Sequence, residues 1–233
     1  MEVIAARTMN ALYMYLDVAF LLFLGATLVY TKRYLAILVG LLAGILYFIV
    51  DYGYFYLYLG TRSVEGADPF CFLLWLSMSY GFTNFVWIWL WLDRDKRALE
   101  WSILIITSWF TTSLLSQSFG GNFAPITISR GTGAYHGIIL FVGYAILCIH
   151  NIRTTDETRK INIPWILAIG ILVQFAWEFV LLITGIRNPS FMTIVVNSLL
   201  ETNLGLSYMY FILRAINKRY HEHLSHRERI TIT

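Results

Sequence analysis

Seven apolar runs, each long enough to cross roughly 30 Å of hydrocarbon as a helix, dominate this chain. They fall at about 9–30, 35–59, 70–92, 101–120, 133–151, 164–185 and 190–213. A backbone in lipid must satisfy its own N–H and C=O groups, and short connections between the runs make neighbouring helices antiparallel. The sequence therefore predicts an all-α integral membrane protein, one domain over residues 1–233 with 221–233 as a cytoplasmic tail. Composition agrees, since 58% hydrophobic and 13% charged residues exclude a soluble domain.

Basic residues set the orientation. Lys32, Arg33, Arg94, Lys96, Arg97, Arg153, Arg159, Lys160 and the arginines and lysine from Arg214 onward fall on one side of the predicted bundle, whereas Arg7, Arg62, Arg130 and Arg187 fall on the other. By the positive-inside rule the N-terminus is outside and the C-terminus cytoplasmic. The net charge of +3 arises from these inner loops and implies contact with the bilayer rather than with nucleic acid. Cys71 and Cys148 are placed in opposite leaflets, too far apart for a disulfide.

Four carboxylates interrupt the apolar runs: Asp17, Asp51, Glu178 and Glu201. A carboxylate held in hydrocarbon is costly, so it stays protonated, finds a partner or faces an internal cavity, and it marks a candidate functional site. The run boundaries place all four in one half of the membrane or near its midplane, where one cavity can collect them. Trp75 and Asn84 on the third run, and Asn197, Thr202 and Asn203 on the seventh, add polar or amphipathic groups near them. Asn197 and Glu201 are four apart and share a helix face. The plainer role for such Ser, Thr and Asn side chains is hydrogen bonding between helices. Arg62, Arg130 and Arg187 lie near the same membrane face as the acids. They can pair with them, but the simpler expectation is that they snorkel to the interface.

A weak repeat relates Asp51 in GILYFIVDYGYFYLYLGTR to Glu178 in GILVQFAWEFVLLITGIR. Each acid precedes an aromatic or aliphatic patch and then Gly, one residue and Arg, which fits two parallel halves of three helices joined by the fourth, a 3+1+3 arrangement. The aromatic content of 17% includes an interfacial belt, to which Trp87, Trp89 and Trp91 are assigned. Tyr52, Trp177, Phe179 and Tyr208 lie within two turns of an acid, where a ring face can stabilise a cation. No lysine falls inside a run to form a Schiff base. Asp93 with Asp95 is the sole aspartate pair, too little for the two magnesium-binding clusters of a diphosphate-ionising prenyl enzyme.

The tract QFAWEFVLLITGIRNP on the sixth run and NSLLETNLGLSYMYFI on the seventh, with an acid on the second, resemble the small seven-helix integral-membrane terpene cyclases of meroterpenoid and indole-terpenoid biosynthesis, of the pyripyropene and paxilline type. That resemblance implies cyclisation of a prenylated substrate, begun by protonation of an epoxide or alkene, with no metal and no cofactor. It maps the family's two membrane-embedded acids onto Asp51 and Glu201. The chain departs from the family where a Trp-Glu pair is usual on the second helix. Here IVDYG stands there and the pair occurs as Trp177-Glu178, so Glu178 remains a third candidate acid.

The residues alone fit the same chemistry, because a buried carboxylic acid donates protons and an aromatic chamber shelters carbocations from water. Expected catalytic residues are Asp51, Glu201 and Glu178, and expected substrate-binding residues are Asp17, Tyr52, Trp75, Asn84, Trp177, Asn197, Asn203 and Tyr208. The partner is a lipophilic isoprenoid entering from the bilayer. The membrane is the plasma membrane in a bacterium or the endoplasmic reticulum in a fungus. The alternatives are a small-solute transporter built on the repeat and a lipid- or sterol-binding membrane protein.

Overall fold

A computed structural model of the chain describes residues 3–132, 134–188, 190–200 and 202–231. Helices account for most of it: α1 (Ala11–Tyr30), α2 (Tyr34–Phe48), α3 (Pro69–Leu92), α4 (Ala98–Phe119), α5 (Ala134–Arg153), α6 (Ile163–Ile183), α7 (Phe191–Leu200) and α8 (Asn203–Thr231). Among the described residues, five helical stretches are long and apolar enough to cross a membrane: α1, α2 with its continuation to Tyr58, α3, α4 with its extension to Asn122, and α6. The protein is a predominantly helical, membrane-associated molecule. Local signals explain the starts. Asn10 accepts from the Tyr13 N–H at 3.1 Å, Asp68 from Cys71 at 2.8 Å and Asn162 from Trp165 at 3.0 Å, each satisfying one orphan donor of a first turn. The Cys71 N–H holds the Asp68 carboxyl below the ordinary aspartate range.

The bundle is organised around α3, most of whose residues from Leu76 onward are buried. Small residues let α2 lie directly on it: a side chain at Gly81 would meet the Gly44 Cα at 2.5 Å, and one at Gly40 would meet Val86 at 2.6 Å. Close backbone approach of this kind recovers dispersion energy that lipid tails cannot displace.

Three features depart from the sequence reading. The expected second helix, 35–59, changes character after Phe48, and Ile49–Tyr58 continues as a π-helix with Asp51 in its first turn. The expected seventh helix, 190–213, is described as two helices, α7 ending at Leu200 and α8 beginning at Asn203, with Thr202 in a turn before it. Finally, the all-α expectation missed a three-stranded antiparallel sheet, β1 (Val3–Asn10), β3 (Pro125–Thr132) and β2 (Arg62–Glu65) in that order. These strands are the segments before α1, after α4 and after the π-helix, so the sheet covers one end of the bundle. Trp87 and Trp89 are also not belt residues. Both are buried in the core, and the Trp87 and Trp91 indoles donate to the Ser102 hydroxyl at 2.7 and 3.0 Å.

The register of the sheet sets where its arginines point. Arg62 lies directly opposite Arg130, and Arg7 opposite Ile128. Since residues two apart share a face, Arg7, Arg62 and Arg130 all project from the same side. The other side carries exposed hydroxyl pairs, Thr8 with Thr127 and Ser63 with Ser129.

Candidate functional site

Like charges directly opposite one another destabilise a strand pair, and the Arg62/Arg130 pair is relieved from the bundle side by Asp51. Arg62 Nη2 contacts Asp51 Oδ2 at 2.7 Å, and Arg130 Nη1 stands 4.0 Å from Asp51 Oδ1. The local chain makes this meeting possible. The π-helix is followed by Gly60, which adopts φ +63°, a left-handed conformation with no steric penalty for glycine. Thr61 N–H donates back to the Phe55 carbonyl at 3.0 Å, and the chain reverses into β2 with Arg62 over Asp51.

A second acid is met in the same way. Gly185, at φ +77°, ends α6, and the Arg187 N–H returns to the Leu181 carbonyl at 2.9 Å. The Arg187 side chain then forks onto Glu178 at 2.7 Å from Nε to Oε2 and 2.6 Å from Nη2 to Oε1. Asn197 donates to Glu178 at 3.2 Å and Gln174 at 3.4 Å. Arg187 is further tied to the sheet by donating to the Ala6 carbonyl at 3.3 Å and by a backbone bridge to Arg7. These arginines do not snorkel. Arg62 and Arg187 are buried in ion pairs with the acids, because the sheet seals the bundle end that a snorkelling side chain would have to reach.

Burial leaves its mark on the guanidiniums. It pushes Arg62 down to about 9, with Asp51 opposing and Arg130 and Arg7 reinforcing the drop. Burial likewise pushes Arg187 down to about 10, reinforced by Arg7 and opposed by Glu178.

Beside Asp51 lies an apolar chamber of about 750 Å³. Its walls come from two helical stripes at four-residue spacing, Ala43, Tyr47, Asp51 and Phe55 on one and Leu204, Tyr208 and Ile212 on the other, closed by Phe85 of α3, Ile139 of α5 and Arg130 of β3. Leu46, Tyr54, Ile139 and Ile212 line it and are also exposed on the bundle's flank, so the chamber opens sideways. Among the described residues, Asp51 and Arg130 are the charged groups in its wall. The Asp51 Oδ1 atom is buried without a hydrogen bond among the described residues.

The remaining expected residues are dispersed. Tyr208 lines the chamber, and its hydroxyl donates to the Ile139 carbonyl at 3.3 Å. Asp17 is buried between α1 and α3, where the Trp75 indole donates to it at 3.0 Å, away from the chamber. Tyr52 stacks between Phe48 and Tyr56 on another face of the π-helix. Trp177 packs edge-on against Trp109, with ring centroids 4.8 Å apart. Asn84 is fully buried with neither amide atom bonded among the described residues, and Asn203 accepts from the Tyr144 hydroxyl at 2.7 Å. Glu201 lies outside the described residues. The chain around it is anchored: Thr202 donates to Gln174 Oε1 at 2.7 Å, Tyr80 donates to the same atom at 2.5 Å, and Leu204 and Gly205 reach the chamber wall. Tyr47, Phe55 and Phe85 were missed in the sequence, although the first two stand four residues before and after Asp51.

Comparisons with protein-family models, with curated proteins and with solved structures found no match.

Proposed function

We propose that this chain is a membrane-bound terpene cyclase acting on a prenylated aromatic substrate whose terminal epoxide or alkene it protonates. The observation that carries this reading is the 750 Å³ apolar chamber with rings in its wall and one carboxylate at its edge. A chamber of this size, within the usual range for small-molecule sites, holds a folded isoprenoid chain, and its lateral opening lets a lipophilic substrate enter from the bilayer. In this reading the chain crosses the membrane seven times, N-terminus outside, with the sheet on the outer face and the basic loops on the cytoplasmic one.

Asp51 and Glu201 take different roles. Asp51, ion-paired with Arg62 at 2.7 Å, is assigned the group that receives the final proton rather than the one that starts the reaction. Glu201, one of the acids that the resemblance singles out, is assigned the initiating acid. Its proton goes to the epoxide oxygen, the C–O bond at the more substituted carbon breaks, and successive alkenes attack to form ring C–C bonds. Tyr47, Tyr54, Phe55 and Phe85 present ring faces to the travelling cation. The final cation loses a proton to Asp51, which returns it to Glu201 through water between turnovers. Substrate and product have the same mass, and no redox partner is needed. Glu178, with both oxygens engaged away from the chamber, holds α6, α7 and β1 in place.

Mass spectrometry on membranes containing this chain, fed farnesylated phenols with and without a terminal epoxide, tests the proposal. The expected result is a product of unchanged mass and altered retention, absent with Glu201→Gln. Binding of these compounds with no product would assign the chamber to a lipid-binding protein, and solute flux into vesicles would assign a transporter.

A further inference from the structure

Between the sheet and the bundle, next to the large chamber, is a second one of about 20 Å³ lined by Arg7, Arg62, Arg130, Asp51, Ser77 and Tyr80, among others. The two chambers share Tyr47, Asp51 and Arg130 as a common wall. Three guanidiniums from three strands face a single carboxylate here. The polar atoms around it are incompletely satisfied: Arg62 Nε, Ser77 Oγ and Asp51 Oδ1 are buried with no hydrogen-bond partner, and Arg7 makes no ion pair, among the described residues. Buried donors left without acceptors cost stability, and holding several guanidiniums out of water against one another costs more. The fall of Arg62 to about 9, driven first by burial, has the same origin. An anion placed among them would satisfy the donors and offset the excess positive charge, accepting from Arg62 Nε, Arg7 and the Ser77 hydroxyl, while Asp51 stays with its arginines.

Size decides which anion. A cavity needs about 10–15 Å³ of this kind of volume to hold one water, so 20 Å³ admits one or two heavy atoms. An isoprenoid diphosphate does not fit, whereas a halide fits, as does one oxygen of a carboxylate or phenolate whose carbon skeleton lies in the large chamber. We propose that this arginine chamber is an anion subsite for one compact monoanionic group, filled either by a free halide or by the ionised head of an amphiphile whose apolar tail occupies the neighbouring chamber. The amphiphile arm rests on the proposed function, narrowing its substrate to a prenylated carboxylate or phenolate. The anion site does not rest on it.

Binding, rather than turnover, separates the two. The full chain in lipid nanodiscs is titrated with a farnesylated hydroxybenzoic acid and with its methyl ester, and its thermal unfolding is followed in sodium chloride and in sodium gluconate. With the head-group occupant, the acid binds at least about tenfold more tightly than the ester, the scale of one charge-assisted hydrogen bond. Arg7→Gln removes that preference and Arg7→Lys restores part of it, while chloride weakens acid binding. With the halide occupant, acid and ester bind alike, and chloride but not gluconate raises the unfolding temperature of the wild-type chain and not of Arg7→Gln. Equal binding of acid and ester together with identical unfolding in the two salts overturns the proposal. Because neither arm needs a product, loss of the cyclase reading leaves this result interpretable.

Discussion

Asp51 and Glu178 each stand before a glycine at positive φ, and each is met by the arginine two residues beyond that glycine. The spacings differ, however. Asp51 precedes Gly60 by nine residues and Glu178 precedes Gly185 by seven. The π-helix accounts for the difference: nine residues at roughly 4.4 per turn and seven at about 3.6 both make about two turns. Both acids therefore face the returning arginine, although the first segment is longer. Their surroundings diverge. Glu178 has Arg187 across both oxygens and two amide donors besides, so it is locked. Asp51 gives one oxygen to Arg62 and leaves the other at the edge of two chambers. One device thus gives a fully engaged clamp at Glu178 and a partly engaged ion pair at Asp51, the difference being whether neighbouring amides complete the shell.

The largest effect should come from opening the clamp. Glu178→Leu leaves Arg187 buried and unpaired at a cost of about 3–5 kcal/mol, and the expected outcome is loss of the monodisperse peak in fluorescence-detected size exclusion. Asp51→Asn should retain that peak, since water can enter beside it and limit the cost to about 1–2 kcal/mol. Under the proposed function, the cyclisation rate of this variant should nevertheless fall by about 10²–10⁴, the range for removing a general acid or base. Equal stability loss in the two variants would erase the distinction between clamp and partly engaged pair.

Phase can be tested by shortening the π-helix. Deleting Leu57 and Tyr58, both exposed, leaves seven residues from Asp51 to the glycine and allows an α-helical ladder with Arg62 still over the acid. Deleting Leu57 alone rotates Asp51 by roughly 100° relative to that return. The double deletion is expected to unfold at the higher temperature of the two, and the reverse order would sink the phase argument. The smallest effects belong to the turns: Gly60→Ala and Gly185→Ala should each cost about 1–2 kcal/mol for a left-handed alanine, read as modest and similar drops in unfolding temperature.

Much of this was legible in the chain. The acids, the Gly-x-Arg motif after two of them and the distribution of basic residues were all visible, and in the structure that motif is a turn that returns an arginine to its acid. Tyr47 and Phe55 were recoverable from their spacing about Asp51. The sheet was not, because three short segments far apart in sequence carry no strong alternation and gain their meaning only by pairing. Nor was the dispersal of Asp17, Tyr52, Trp75 and Trp177, since proximity in sequence to an acid does not fix which face of a helix turns inward.

The sequence by itself determined that this chain partitions into lipid as helices, because runs of apolar residues cannot satisfy their backbone there in any other open form. It also determined which helix ends return an arginine, since glycine alone enters the left-handed turn without strain. Only the tertiary structure decided which acid is locked and which is left with an open oxygen. That outcome depends on where β1, β3, α7 and α8 bring their donors, and such long-range contacts are set by packing rather than by any local pattern of residues.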